Sequence, residues 1–206
     1  MSTIHICKKK DDIMITVELN EANYEYDIHS LIKAFYPGHD VLVKAQPRES
    51  FPDSLFHLTV CYGESEILFT FYKGSQWEAA DADVLLRGRV DADPADRRET
   101  KDRLKRRLYQ LLSEFTGQTL PWGTLTGIRP TKIPMTMLEE GRPEDEIRAH
   151  MKESYFASDE KIELSIDVAK RELKLLSRID YEDGYSLYIG IPFCPSTCLY
   201  CSFASY

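Results

Sequence analysis

The sequence has no long hydrophobic run, since no window in it approaches the roughly 18 apolar residues expected of a membrane-spanning helix. No apolar segment of the roughly 7–15 residues found in a secretory signal peptide follows the charged residues near position 10, which argues against such a signal. Internal repeats and low-complexity tracts are also missing. We therefore expect a globular protein without a membrane span, located in the reducing cytoplasm.

Basic residues are outnumbered, because 26 lysines and arginines face 34 aspartates and glutamates and the net charge is −8. This balance argues against nucleic acid as a partner of the whole chain. Basic residues are nevertheless concentrated in a helix that the periodicity predicts between Asp93 and Gly117. The basic residues of this helix are Arg97, Arg98, Lys101, Arg103, Lys105, Arg106 and Arg107. The side of the helix that carries them either lies in solvent or contacts an anion or RNA. The acidic residues Glu99 and Asp102 lie between them, which favours a side that lies in solvent.

Cysteine is scarce, with five residues in a chain of 206. Disulfides are rare in the cytoplasm, and an odd number of cysteines cannot all pair within the chain. Cys7 and Cys61 lie in strand-like runs, so we expect them to be small buried side chains. Cys194, Cys198 and Cys201 instead lie close together, in the spacing C-x3-C-x2-C. This triple is the strongest chemical signal in the sequence.

The spacing of apolar residues predicts several strands and one helix in residues 1–92. Alternating apolar residues are typical of half-buried strands, and a repeat of three to four residues is typical of an amphipathic helix. Gly63-Glu64-Ser65 separates two strands rich in aromatic and β-branched residues, which indicates a β-hairpin. We therefore predict a small α+β domain in which an antiparallel sheet carries a helix on one face. The strands cover 4–7, 13–19, 41–45, 55–62, 66–72 and 84–90, and the helix covers 24–35.

Residues 93–180 have mainly helical periodicity, and we assign them to a helical connecting region. A loop punctuated by glycine and proline, 120–132, carries Trp122 and Arg129. It is either a joint between structural units or a surface that contacts a partner or substrate. Besides the basic helix, the predicted helices of this region cover 131–140, 144–153 and a longer stretch capped by Ser158. We assign residues 181–206 to a third unit.

Three thiolates on one short loop can bind a single inorganic centre. A structural zinc site takes four ligands, commonly from two C-x2-C pairs, and this loop has one such pair, Cys198 and Cys201. A fully ligated 4Fe–4S cluster takes four cysteines, so three cysteines leave one iron with an open position for chemistry. Ligand count therefore favours a 4Fe–4S cluster with one open iron. The alternative is that the three cysteines only pack as small apolar side chains.

The residues around this loop resemble those of a known family. The string Tyr-Ile-Gly-Ile-Pro-Phe-Cys-x3-Cys-x-Tyr-Cys-x-Phe occupies 188–203. Its cysteine spacing after a hydrophobic strand resembles the radical S-adenosylmethionine superfamily. The whole string resembles the oxygen-independent coproporphyrinogen III oxidase (dehydrogenase) family, although Gly190 stands where that family usually has histidine. The Gly- and Pro-punctuated loop 120–132 is similar to the clostridial and bacillary branch, which carries an N-terminal extension.

The resemblance implies two cofactors and a reaction. Cys194, Cys198 and Cys201 would bind three irons of a 4Fe–4S cluster, and S-adenosylmethionine would bind the fourth. Tyr188 matches a tyrosine that contacts S-adenosylmethionine, or it is a core residue of a barrel. Tyr200 matches an aromatic residue beside the adenine, and it can also shield the cluster. No residue of the chain is assigned as catalytic.

The implied reaction is the oxidative decarboxylation of coproporphyrinogen III to protoporphyrinogen IX. One-electron cleavage of S-adenosylmethionine yields a 5′-deoxyadenosyl radical, which abstracts hydrogen from a propionate side chain. Loss of carbon dioxide then leaves a vinyl group, and the cofactors carry this chemistry while the protein binds and orients. A flavodoxin- or ferredoxin-like protein would donate the electron. The implied activity belongs to haem biosynthesis.

The resemblance also implies that the cysteine loop follows the first strand of a partial (β/α)6 barrel. With about 30 residues per βα unit, as in an eight-unit barrel of ~250 residues, about 150 further residues are expected. We therefore expect an inactive N-terminal fragment of a longer enzyme. The predicted fold is α+β in 1–92, helical in 93–180, and the start of a truncated radical S-adenosylmethionine barrel in 181–206.

Two other functions stay open at this point. A haem-binding chaperone that resembles the family would keep the cluster loop and perform no decarboxylation. A non-catalytic module would instead use the α+β region and the basic helix to recruit RNA or a partner protein. Haem titration would test the first of these functions, and salt-dependent RNA binding would test the second.

Overall fold

The computed structural model describes residues 14–45, 54–74, 83–127, 129–180, 183–185, 187, 189–190, 194, 196 and 198–199. These residues form a mixed α/β structure with five strands and five helices, as the sequence predicts in outline. Among the described helices, none combines the length and the apolarity that a membrane span requires. The predicted strand 4–7 lies outside the described residues. The elements are β1 (Met14–Leu19), α1 (Glu25–Phe35), β2 (Val41–Ala45), β3 (Ser54–Tyr62), β4 (Glu66–Lys73), β5 (Val84–Asp91), α2 (Arg97–Thr116), α3 (Lys132–Glu139), α4 (Glu144–Tyr155) and α5 (Asp159–Leu176).

The five strands form one mixed sheet in the order β2-β1-β3-β4-β5. β1 pairs in parallel with both β2 and β3, whereas β3, β4 and β5 are antiparallel neighbours. The prediction of an antiparallel sheet is therefore wrong for β1 and β2. Alternation of apolar residues shows which face a side chain takes, and this alternation is the same in both kinds of pairing. The parallel pair forms because α1 carries the chain back to the end of the sheet where β1 began.

β3 and β4 form the predicted hairpin. Tyr62 lies opposite Ile67 at its closed end, and the N–H of Gly63 donates to the carbonyl oxygen of Glu66 at 2.8 Å. β5 then pairs with β4 in the opposite direction, so the second half of the sheet is an antiparallel meander. These three strands are local along the chain, which is why spacing and turn residues alone predicted them.

One face of the sheet packs against α1 and α2 to form the first hydrophobic core. α2 crosses close to β5, where a Cβ on Gly88 would lie 2.6 Å from Leu111 Cδ1. Glycine at position 88 therefore permits the close approach of strand and helix. The buried apolar residues of this core are Ile15, Val17, Leu19, Ile28, Leu31, Ile32, Phe35, Phe56, Leu58, Val60, Ile67, Phe69, Phe71, Leu104, Leu108, Tyr109, Leu111 and Leu112.

The ends of α2 and the start of α5 follow from single capping residues. The carboxylate of Asp96 accepts a hydrogen bond from the N–H of Glu99 at 2.9 Å, which satisfies one free amide of the first turn. Gly117 ends α2 with φ of 68°, in the left-handed conformation that glycine adopts without a steric penalty. Ser158 Oγ accepts from the N–H of Lys161 at 3.4 Å. The predicted end at Gly117 and the predicted cap at Ser158 are confirmed.

α3, α4 and α5 surround a second hydrophobic core. Arg148 of α4 donates to Glu163 of α5 at 2.6 Å, but exposed ion pairs add little to stability, so burial of apolar side chains is the main source of cohesion. The rings of Phe156 and Tyr109 stack at 5.3 Å and connect the helical part to the first core. The buried residues of the second core are Leu125, Met137, Ile147, Met151, Ala157, Ile162 and Ile166.

The predicted burial of Cys61 is wrong, because this residue is exposed on β3. Phe56, Leu58 and Val60 point into the first core, so the odd-numbered residues of the strand point to the second face of the sheet. Strand propensity alone does not show which residues take the core face. Cys7, the other cysteine predicted to be buried, lies outside the described residues.

Candidate functional site

The segment with the three clustered cysteines is exposed wherever the structure describes it. Cys194 and Cys198 are both exposed free thiols. Cys201, Tyr188 and Tyr200 lie outside the described residues. The structure therefore places two of the five predicted site residues, and the roles of all five stay predictions.

The apolar run that precedes the cysteines is exposed as well. Leu187 and Ile189 expose 75% and 82% of their surface, and the described residues of the run belong to no strand. A strand needs a neighbour that satisfies its backbone N–H and C=O groups, and no described strand pairs with this run. Tyr185 and Leu199 are also almost fully exposed. The described residues therefore do not show the strand that the apolar run predicts, and that strand stays a prediction.

The donor atoms of this segment fit an iron–sulfur cluster by their chemistry. Thiolate sulfur is the usual ligand of such clusters, and the exposure of Cys194 and Cys198 argues against thiols that only fill a core. Within the described residues, no group of three histidine, cysteine, aspartate or glutamate side chains could hold a metal. Cys201 is not among those residues, so the complete ligand set stays a prediction.

The loop 120–132 lies directly against the end of α4. The N–H of Thr124 donates to the carbonyl oxygen of Tyr155 at 2.8 Å. Gly123 has φ of 55°, and a Cβ built on it would lie 1.8 Å from that same oxygen. Only glycine therefore fits at this position without a shift of the backbone. The contacts favour the interpretation of this loop as a joint between structural units.

The two side chains that stand out in this loop both contact α5. Trp122 packs against the second core, and Lys161 Nζ lies 6.0 Å from the centroid of its ring. Arg129 forms an ion pair with Glu172, and its Nε donates to Thr131 Oγ1 at 3.1 Å. Both side chains thus tie the loop to the helical part of the same chain.

Three of the seven basic side chains on this side of α2, Arg103, Lys105 and Arg106, form ion pairs within the chain. Glu99 Oε1 accepts hydrogen bonds from Arg103 and Arg106, both at 3.0 Å, and the bond from Arg103 lowers the pKa of the Glu99 carboxyl. Lys105 Nζ lies 3.6 Å from Asp27 Oδ1 of α1. RNA binding depends on free cations that can replace counterions along the phosphate backbone. The pairs therefore argue against RNA binding by Arg103, Lys105 and Arg106.

A buried polar cluster on the second face of the sheet was not predicted from the sequence. His57 of β3 is fully buried, with its Nδ1 2.8 Å from Thr16 Oγ1 and its Nε2 3.6 Å from Glu18 Oε2. Burial lowers the pKa of His57 to about 4, so its imidazole is neutral at neutral pH. Thr16 lies opposite His57 only because β1 pairs with β3. No short motif in the sequence signals that pairing.

Comparison with known proteins gives one informative match. Over 110 residues the chain is 39% identical to the oxygen-independent coproporphyrinogen-III oxidase-like protein HemZ of Bacillus subtilis (strain 168). The aligned stretch makes up 53% of this chain and 22% of that protein, so the chain covers less than two thirds of its relative. No protein-family model matches the chain, and no solved structure matches it. The similarity to HemZ supports the family resemblance seen in the sequence.

Proposed function

We propose that this chain belongs to an oxygen-independent enzyme that converts coproporphyrinogen III to protoporphyrinogen IX. The observation that carries the proposal is the C-x3-C-x2-C pattern of 194–201 in an exposed segment. The similarity to a protein named as coproporphyrinogen-III oxidase-like supports the substrate class. In this reaction each of two propionate side chains loses carbon dioxide, one hydrogen atom and one electron. A vinyl group is left in each case, so the enzyme is an oxidoreductase.

The residues of the cysteine segment would bind and orient the cofactors. Cys194, Cys198 and Cys201 would ligate three irons of a 4Fe–4S cluster, while Tyr188 and Tyr200 would contact S-adenosylmethionine. Together these cofactors supply the electron transfer and the radical that removes the substrate hydrogen. The exposed thiols of Cys194 and Cys198 suit this role, because S-adenosylmethionine must reach the iron that has no cysteine ligand.

The apolar run before the cysteines would be the first strand of a partial (β/α)6 barrel. Strands of a parallel barrel are covered on both faces, so their sequences are apolar throughout. Leu187 and Ile189 are apolar and exposed, as expected for side chains that pack in the rest of such a barrel. The chain would then be the N-terminal part of a longer enzyme that accepts electrons from a flavodoxin- or ferredoxin-like protein.

Cluster reconstitution under anaerobic conditions tests the proposal on the protein at its natural full length. After addition of iron and sulfide, we expect about four irons per chain, as in a 4Fe–4S cluster. Dithionite and S-adenosylmethionine should then yield 5′-deoxyadenosine, measured by mass spectrometry. Cys198→Ala should lose the cluster and the product. Cys61→Ala is the matched control, because Cys61 is also exposed but lies on β3, and it should keep both.

Four outcomes would contradict the proposal. One is the absence of 5′-deoxyadenosine from the reconstituted protein, and another is equal product formation by the Cys198→Ala variant. The third is tight binding of zinc or cobalt with the spectrum of a site that has four thiolates. If haem binds and coproporphyrinogen III is not consumed, the protein is a haem chaperone instead.

A further inference from the structure

A narrow cleft lies between the start of α1, the first turns of α2 and the loop at 124–127. Tyr26 and Asp27 form one wall, and Arg98 and Lys101 form the next. Its volume is about 250 Å³, which is below the ~300–1,000 Å³ of pockets that enclose drug-sized ligands. A ligand in this cleft is therefore small, or it enters with one small group.

The loop side of the cleft is held in place by backbone contacts. Gly127 has φ of 69°, and a Cβ built on it would lie 2.9 Å from Tyr26 Oη. Glycine adopts this left-handed conformation without a steric penalty, and the loop lies beside the side chain of Tyr26. On its other side the loop is bonded to α4, through the N–H of Thr124 and the carbonyl oxygen of Tyr155. The hydrogen bond to α4 therefore fixes the backbone of the loop on this side of the cleft.

The cleft contains two cations that the described part of the chain leaves without an ionic partner. Arg98 and Lys101 line it, and neither makes a salt bridge or side-chain hydrogen bond to another described residue. Lys105 lines it too, but this lysine pairs with Asp27 at 3.6 Å. Asp102 is the second carboxylate of the lining. Three positive and two negative groups leave a local excess of positive charge, in a chain whose net charge is −8.

A buried hydroxyl adds a further donor to this side of the cleft. Thr126 lines the cleft, and its Oγ1 is buried without a hydrogen-bond partner among the described residues. The large majority of buried polar atoms in proteins have a partner. Rotation between staggered χ1 positions can turn the hydroxyl of Thr126 towards the cleft. An acceptor bound there would supply the partner that this oxygen lacks within the described residues.

We propose that this cleft binds the phosphate group of a small molecule. A guanidinium group such as that of Arg98 can donate to two phosphate oxygens at once, and the ammonium of Lys101 adds a compact positive charge. Thr126 Oγ1 can donate to a third oxygen. A carboxylate has two oxygens and would leave part of this donor set unused. The site is separate from the cysteine segment, so the inference does not depend on the proposed function.

Titration of the chain with inorganic phosphate at constant ionic strength tests the inference. In two-dimensional ¹H–¹⁵N NMR spectra, saturable shifts are expected at the amides of Thr124, Thr126 and Gly127. Lys101→Gln should weaken phosphate binding by about tenfold, the usual effect of losing one charged hydrogen bond. Arg107→Gln is the matched control, because it removes the same charge from α2 at a residue outside the cleft. It should change the affinity by less than about twofold.

Two further titrations, with malonate and with RNA, test whether the cleft prefers a small phosphate group to other anions. Malonate should bind more weakly than phosphate, and equal binding would overturn the assignment to phosphate. A short single-stranded RNA should show no saturable shift of the Thr126 amide. The inference is also overturned if phosphate shifts no amide of the loop, or if Arg107→Gln weakens binding as much as Lys101→Gln does. The last result would mean that the helix attracts anions only through its overall charge.

Discussion

Replacing Gly123 by alanine should destabilise the chain strongly, because its backbone leaves no room for a side chain. The left-handed conformation at φ of 55° costs a residue with a Cβ about 1–2 kcal/mol. The new methyl group would also lie 1.8 Å from the carbonyl oxygen of Tyr155 and 2.6 Å from the carbonyl carbon of Phe156. Both contacts are with backbone atoms, so relief requires a shift of the loop or of α4. Overpacking of this kind costs about 1–3 kcal/mol, which gives a total loss of about 2–5 kcal/mol.

Urea unfolding followed by circular dichroism measures this loss at neutral pH. Gly117→Ala is the matched control, because Gly117 has φ of 68° and no atom within 4 Å of a Cβ built there. This control should lose only the conformational part, about 1–2 kcal/mol. Gly123→Ala should therefore lose more than the control by the part that comes from the clash. Equal losses in the two variants would show that the loop does not lie against α4 as the structure has it.

Three further predictions concern stability and thiol chemistry. The pKa of His57 is lowered to about 4 in the folded chain, so on acidification the imidazole is protonated at a higher pH in the unfolded chain than in the folded one. Lowering the pH from 6.5 to 4 should therefore reduce the free energy of unfolding by up to about 3 kcal/mol. Urea titrations should show a smaller loss for His57→Gln, and an equal loss would exclude this histidine as the cause. Asp96→Ala should lower the free energy of unfolding by about 1 kcal/mol, because the N–H of Glu99 loses its acceptor. An unchanged midpoint of thermal unfolding would show that Asp96 does not stabilise the start of α2. Iodoacetamide should alkylate Cys198 faster than Cys61, because partial desolvation of the exposed Cys61 thiol and the nearby charge of Glu18 raise its pKa. Mass spectrometry of timed samples measures the two rates, and the opposite order would contradict this prediction.

Features that depend on neighbours in the chain could be predicted from the sequence. The hairpin around Gly63 and the helix end at Gly117 follow from turn and capping chemistry that involves only a few consecutive residues. The predicted ligand set Cys194, Cys198 and Cys201 has the same origin, because its thiols are close in sequence. Such patterns are visible because backbone geometry repeats every two residues in a strand and about every 3.6 in a helix.

Features that depend on residues far apart in the chain could not be predicted. The exposure of Cys61 and the burial of His57 both depend on which face of β3 meets the helices and on the pairing of β3 with β1. Strand alternation is compatible with either face and with either direction of pairing. The antiparallel sheet was predicted wrongly for β1 and β2 for this reason.

The sequence by itself determined the secondary structure and the cysteine pattern, because both depend only on residues that are close together in the chain. Only the tertiary structure decided the parallel strand pairs, the buried His57 and the cleft in which Arg98, Lys101 and Thr126 meet. Those arrangements depend on contacts between segments that lie tens of residues apart. Such contacts form when apolar faces are buried together, and burial is non-directional, so periodicity alone does not reveal which faces will meet.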